Sequence, residues 1–294
     1  MRAGTLIAAL VGAMLLAAPV SAQQQPQQRD PFNGQFGVME IAPPPADAAR
    51  LANLMGDTLD ALQPQRPGVQ DVYLLSVSFW GDPVFEREAT QAEEIMRLRL
   101  GAAGRSIILS AGGLGPRTYP AASPDNFAAA IGHIGATMDS NEDLFVLFIT
   151  SHGQPDGVAA IREHNRMFGG LRPNHLGIML GQANIRNRVV IVSSCFSGAF
   201  IAPLATDSTI VMTAAAPDRS SFGCQPQNNW TFFGDAYFNR SVREGDDMIE
   251  AFDDAKRLIT QWEREQNLSP PSNPQIFVGQ RAAAMLRQAE RNAR

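Results

Sequence analysis

Leu144-Phe145-Val146-Leu147-Phe148-Ile149 runs straight into Thr150-Ser151-His152-Gly153. An apolar run with no polar alternation leaves neither face of a strand fit for water. It predicts a central parallel strand covered on both sides. Val189-Val190-Ile191-Val192 repeats the pattern and ends in Ser193-Ser194-Cys195-Phe196-Ser197-Gly198. Two buried strands that both finish in small, polar and nucleophilic residues set the fold class and point to a site at one rim of a sheet.

Around these strands, helical and extended patterns alternate. Val72 to Phe79, Ser106 to Leu109 and Ser208 to Thr213 read as further strands, and Gln275 to Val278 as a last edge strand. Helical spacing covers Asp47 to Leu62, Pro124 to Met138, Pro173 to Gln182 and Trp230 to Arg240. Glu86 to Leu100 is helical with Ala89, Ala92, Ile95, Met96 and Leu100 as its inner stripe. In Asp247 to Arg264 the apolar positions Met248, Ile249, Phe252, Ala255, Ile259 and Trp262 form one stripe, opened by a capping-box pattern of Asp247 and Glu250. Ala111 to Pro116 is a loop by its glycines and proline. Strand–helix alternation without an internal repeat predicts a single α/β domain with a mostly parallel sheet over residues 46–294.

The first 45 residues carry no fold signal. Arg2, the apolar run from Leu6 to Pro19 and the small residues Val20-Ser21-Ala22 describe a secretory signal peptide over 1–22, cleaved after Ala22. Pro19 and Ser21 interrupt the run before the about 20 residues of a spanning helix. Residues 23–45, rich in Gln and Pro, read as a flexible leader. The expected product is exported, periplasmic or extracellular, with no membrane span after signal cleavage.

The chain has 294 residues, 45% hydrophobic and 18% charged, with a formal net charge of −5. That suffices for a sizeable core and gives no basic surface for nucleic acid or an anionic membrane. Two cysteines, Cys195 and Cys224, make neither a disulfide scaffold nor a four-Cys zinc site. His-Glu-x-x-His, Walker, Gly-x-Gly-x-x-Gly, Cys-x-x-Cys and Gly-x-Ser-x-Gly patterns are all missing, so neither metal nor cofactor is expected.

Adjacent parallel strands would bring His152 and Cys195 to the same rim, a base within reach of a nucleophile. A free thiol has a pKa near about 8.5. A helix opening at about Ser197, with a nearby imidazole, would favour thiolate. Gly153 leaves an unobstructed backbone N–H that could join the N–H of Cys195 as an oxyanion hole. Taken singly, a cysteine after a buried strand is more often a small core residue than a nucleophile. Their paired placement favours chemistry.

Beyond these two clusters the chain carries Thr213-Ala214-Ala215-Ala216-Pro217-Asp218-Arg219-Ser220-Ser221-Phe222-Gly223-Cys224, then Phe232-Phe233-Gly234-Asp235-Ala236-Tyr237. In order and spacing, Ser-His-Gly, Ser-Cys and this third run resemble the legumain (asparaginyl endopeptidase) family, within the larger group that includes caspases; the coarse match extends from Asp71 to Trp262. The resemblance implies a caspase-like αβα sandwich and a Cys/His dyad. Cys195 would be the nucleophile, His152 the base and Gly153 part of the oxyanion hole. Ser220, Ser221 and Asp235 match residues that line the pocket for the side chain before the cut. The match has departures. Ser193 stands where legumains have an acid two residues before the nucleophile, and only Arg87 could stand in for their Arg-His pair.

The sequence thus predicts a secreted cysteine endopeptidase acting on peptides or proteins after a polar residue such as asparagine. A transpeptidase or transamidase using the same acyl-enzyme, and a binding protein on the same fold, remain alternatives.

Overall fold

The computed structural model describes residues 45–112, 118–163, 166–245 and 247–294. The expected signal segment, nearly all of the leader and most of the glycine loop lie outside the described residues.

Among the described residues eight strands and eight α-helices follow in order: α1 (Pro45–Asp60), β1 (Val72–Ser78), α2 (Pro83–Arg99), β2 (Ser106–Ser110), α3 (Pro124–Thr137), β3 (Leu144–Thr150), β4 (Ala159–Glu163), β5 (Arg166–Leu171), α4 (Pro173–Gln182), β6 (Arg188–Ser193), α5 (Ile201–Leu204), β7 (Thr209–Thr213), α6 (Phe232–Gly234), α7 (Glu250–Glu265), β8 (Gln275–Val278) and α8 (Gln280–Asn292). Six strands form one sheet in the order β2-β1-β3-β6-β7-β8. All neighbours are parallel except β8, which runs antiparallel to β7. The sheet is thus mostly parallel, with helices on both faces, as the apolar runs predict.

Every residue of β1, β3 and β7 is buried. Successive side chains point to opposite faces, and the two cores divide accordingly. Val72, Leu74, Leu144, Val146 and Phe148 pack with α2, α7 and α8. Tyr73, Leu75, Val77, Phe145, Leu147 and Ile149 pack with α3 and α4. Each such side chain contributes about 1.5–3 kcal/mol relative to exposure.

Local chemistry sets the helix starts. α2, α3 and α4 all begin at proline, whose missing N–H costs nothing in a first turn. The Ser123 hydroxyl accepts from the Asn126 N–H and caps α3. Asp247 accepts from the N–H groups of Ile249 and Glu250 ahead of α7. The segment expected as a helix from Trp230 begins two residues later, at Phe232, and continues as a π-helical stretch, Asp235–Val242. Two elements were not expected: the β4–β5 hairpin, a separate antiparallel pair, and α8. Among the described residues no helix is long and apolar enough to cross a membrane.

Candidate active site

β3 and β6 are hydrogen-bonded neighbours, with Thr150 opposite Ser193. The Ser151 N–H extends the ladder to the Ser193 carbonyl at 3.1 Å. His152 and Cys195 each follow two residues after that paired rung, at the C-terminal edge of the sheet. Gly153 brings their loops together. A Cβ built on it would stand 1.9 Å from the Cys195 carbonyl oxygen and 3.1 Å from the Cys195 nitrogen. Only a residue without a side chain fits there.

The His152 loop is tied to the hairpin. Its carbonyl accepts from the Ala160 N–H, and the Gln154 N–H donates to the Val158 carbonyl. Gly153 and Ala159 therefore face each other as a non-hydrogen-bonded antiparallel pair, and the Gly153 N–H points away from β4. The Ser151 hydroxyl donates to the Ala160 carbonyl at 2.6 Å. The imidazole is held edge-to-face between Trp80 and Phe85, at 4.9 and 5.0 Å. Its Nε2 lies 3.6 Å from an Asp82 carboxylate oxygen. Burial lowers the pKa of His152 below its ordinary 6.5, while Asp82 pulls the other way.

Cys195 is half-buried and free, as is Cys224. No long helix starts behind it: Ser197–Phe200 is a single 3₁₀ turn, and α5 adds only Ile201–Leu204. The aligned dipoles of an extended helix, expected to act on the thiol, are not there. A nearer group takes that place: the Ser221 N–H points at the Cys195 sulfur from 3.3 Å. The Ser221 hydroxyl and carbonyl oxygens stand 3.6 and 3.7 Å from it. Phe196, next in the chain, adopts the left-handed conformation at φ 58°, strain costing about 1–3 kcal/mol for a bulky residue. The Phe196 N–H bonds the Arg219 carbonyl at 2.7 Å, and the Gly198 N–H bonds the Ala215 carbonyl at 2.8 Å. These bonds fix the sharp exit from β6 against the segment that carries Ser220 and Ser221. Ser220 itself is exposed.

Arg87 and Asp235 are engaged elsewhere. The Arg87 guanidinium donates to the carbonyls of Pro226 and Asn228 and holds that loop against α2. Asp235 accepts from Asn239 at 2.7 Å and from Arg240 at 3.3 Å. It lines an open pocket of about 620 Å³ with Asn228, Phe232 and Trp262, and neither Cys195 nor His152 is among that pocket's described lining residues. The Cys224 thiol is raised by burial first and then by the charge of Cys195, so the two sulfurs feel each other. Among the described residues no group of His, Cys, Asp and Glu is placed to hold a metal ion.

One residue at the site was not anticipated. Glu88 of α2 is fully buried directly beneath it. Its carboxylate accepts from Thr150 and Thr231 and stands 3.5 Å from the Ser193 hydroxyl. A carboxyl thus reaches the neighbourhood of Ser193, the position occupied by an acid in legumains. Glu88 falls on the inner stripe of its helix, four residues before Ala92, and an acid on an apolar stripe was the available signal.

Comparison with known proteins gives the lineage. Among curated proteins none matches the chain. Among solved structures, the chain is similar to caspase-1 from Spodoptera frugiperda, with a TM-score of 0.50 and 8% identity over 74% of this chain and 94% of that one. At that identity the likeness shows the fold alone, a caspase-like α/β architecture. The model of the Peptidase C13 family matches residues 116–279, from the segment before α3 through β8. That stretch is more than half the chain and contains His152, Cys195 and the run from Thr213 to Asp235. The chain therefore belongs to the Peptidase C13 family, the legumain family of cysteine peptidases.

Proposed function

We propose that the protein is an exported cysteine endopeptidase in which Cys195 and His152 form the catalytic dyad. The observation that carries this is the contact of Gly153 with the Cys195 backbone, which sets the His-Gly and Cys loops against each other at one edge of the sheet. With Nε2 turned to Asp82, Nδ1 is the nitrogen left to take the thiol proton. The sulfur attacks the substrate carbonyl, and the N–H groups of Gly153 and Cys195 receive the developing oxyanion. His152 returns the proton to the leaving amine. Water, activated by the same imidazole, then releases the acyl group and regenerates the thiol.

Cleavage is proposed to follow a polar residue, asparagine first. The support is the hydroxyl of Ser221 beside the reacting sulfur; Ser220, Asp235 and Arg87 join the proposed pocket on the family resemblance alone. A site built to hydrogen-bond a side chain rejects an apolar analogue by about 10⁴-fold. Export rests on residues 1–22, with cleavage after Ala22.

Hydrolysis of a mixed peptide pool by wild type, Cys195→Ala and His152→Ala tests the dyad. Each single variant should lose nearly all turnover and the double variant little more, with Cys224→Ala retaining activity. Full turnover in Cys195→Ala would overturn the assignment. A positional library read on wild type and Asp235→Ala tests the pocket. Preference for Leu or Phe, unchanged in the variant, would end the polar-pocket proposal. Mass spectrometry of the secreted product should find a chain beginning at Gln23.

A further inference from the structure

Glu88 is a carboxyl with no exposed surface, and no cation among the described residues pairs with it. Its partners are hydroxyls from three separate segments. Thr150 ends β3, two residues before His152, and donates to one carboxylate oxygen. Thr231 donates to the other at 2.6 Å while accepting from the Gly234 N–H at 3.1 Å, which caps the turn leading to Asp235. Ser193 ends β6, two residues before Cys195, and lies 3.5 Å from that second oxygen and 3.1 Å from Thr231. The carboxylate also presses on Gly234, where a Cβ would come 2.0 Å from it.

Burying an acid without a cation is costly, and an apolar residue of similar size would serve the helix stripe better. Such a group at the meeting point of three active-site segments breaks a local rule where function can repay it. We propose that Glu88 is a positioning residue of the active site: its carboxylate ties the His152 loop, the Cys195 loop and the segment leading to Asp235 to one point and so fixes their mutual placement. This rests on the assignment of Cys195 and His152 as the dyad.

The ionised form suits the three donors, because both oxygens then accept. Burial pushes the carboxyl up to about 7 against the pull of Thr150, Thr231 and Ser193. Protonation near neutral pH therefore turns one oxygen into a donor and forces a hydroxyl to reverse. The ionisable groups around it are His152 and Cys195 beyond the strands it bonds and Asp235 beyond Gly234. Cys224 is also close enough to feel its charge, together with that of Asp82. Glu86 and Arg87 flank it on α2.

The test is Glu88→Gln, which keeps the size and removes the charge. Peptide turnover and the alkylation rate of Cys195 by iodoacetamide, both in a Cys224→Ser background, are followed from pH 5 to 9. Folding is checked by thermal unfolding. The expected result is a kcat about 10- to 100-fold lower, the scale of small misplacements, with KM within about three-fold. The component near pH 7 in the alkylation profile should disappear. Should that variant fail to fold, Thr150→Val and Thr150→Ser remove and keep one donor. The first should lower kcat in the same way and the second should rescue it. A Glu88→Gln enzyme with wild-type kcat and an unchanged alkylation profile would overturn the proposal, as would equal kcat in the two Thr150 variants. Wild type inert on every peptide would instead sink the peptidase assignment, and the alkylation comparison would still decide the role of Glu88.

Discussion

Gly153 sits against the backbone of Cys195 so closely that the smallest side chain would stand 1.9 Å from its carbonyl oxygen. The obstructing atom is backbone and cannot swing aside, so Gly153→Ala must part the two loops. Overpacking of this kind costs about 1–3 kcal/mol, and displacement by an ångström lowers turnover about 100-fold. Both losses should appear, in thermal unfolding and in peptide hydrolysis. Gly132→Ala is the control: it lies in α3 with open space around it, where alanine should be neutral or stabilise by up to about 1 kcal/mol.

The acid limb of activity should follow His152. As the proposed base it must be neutral, and burial holds its pKa below the ordinary 6.5 with Asp82 opposing. Activity should therefore persist below pH 6.5 before falling. Asp82→Asn removes the opposing charge and should shift the limb to still lower pH. The stability sign agrees. The unfolded chain takes up the proton first as pH falls, so this residue lowers stability below that pH. Titration of the His152 ring protons by NMR and the pH dependence of kcat/KM check the shift. A limb moving upward in Asp82→Asn would contradict it.

Glu88 should make the protein less stable as pH rises. Its carboxyl, ordinarily near 4.5, ionises only at about 7 in the native state. Between those values the unfolded chain has lost the proton and the native chain holds it, so stability declines across that window and then levels off. The scale is at most about 3 kcal/mol. Glu88→Gln should unfold at a higher temperature than wild type at pH 8 and lose this part of the pH dependence.

Arg87 braces the loop at Pro226 and Asn228 by donating to two carbonyl oxygens. Arg87→Ala leaves those oxygens to water and frees the loop beside Asp235. Its expected effect is a rise in KM of about 10-fold, the size of losing charge-assisted hydrogen bonds, with kcat within about three-fold. Arg87→Lys should recover little, because a single ammonium does not reproduce the fork. Steady-state kinetics on one good peptide decide this.

The parallel strands were legible because burial on both faces writes itself as unbroken apolar runs, Leu144 to Ile149 above all. Their register then carries His152 and Cys195 to one rim without further information. The β4–β5 hairpin was hidden by Arg162 and Glu163, by a register shift at Ile161/Arg162 and by the Gly169-Gly170 pair opposite β4, which suppress the alternating pattern. In α8 the inward side chains are mostly alanines, Ala282, Ala283 and Ala289 around Leu286, too small to raise a hydrophobic stripe above its arginines. The partners of Arg87 were out of reach, since they lie on a loop whose course no local pattern encodes; those of Asp235 are local, Asn239 and Arg240 one helical turn on. The left-handed turn at Phe196 was equally silent, because its cause is the bond to Arg219, distant in sequence.

The paired rung of Thr150 and Ser193 has a consequence for hydrogen exchange. Amides of β3 and β6 lie inside the sheet, between β1 and β7, and should exchange only when the whole domain opens. The β4–β5 hairpin forms a separate two-stranded sheet, joined to the end of β1 by the Arg162 N–H to the Phe79 carbonyl, and is expected to open at lower cost than the central strands. His152 and Gly153 stand on the border between these regimes, joined to β3 by the chain and to β4 by the Ala160 N–H. Deuterium should therefore enter from the hairpin side and stop at Ser151. The proposed catalytic rim would then be slow to exchange on one side and quick on the other, leaving room for a bound peptide to order the hairpin while the strand ends stay fixed.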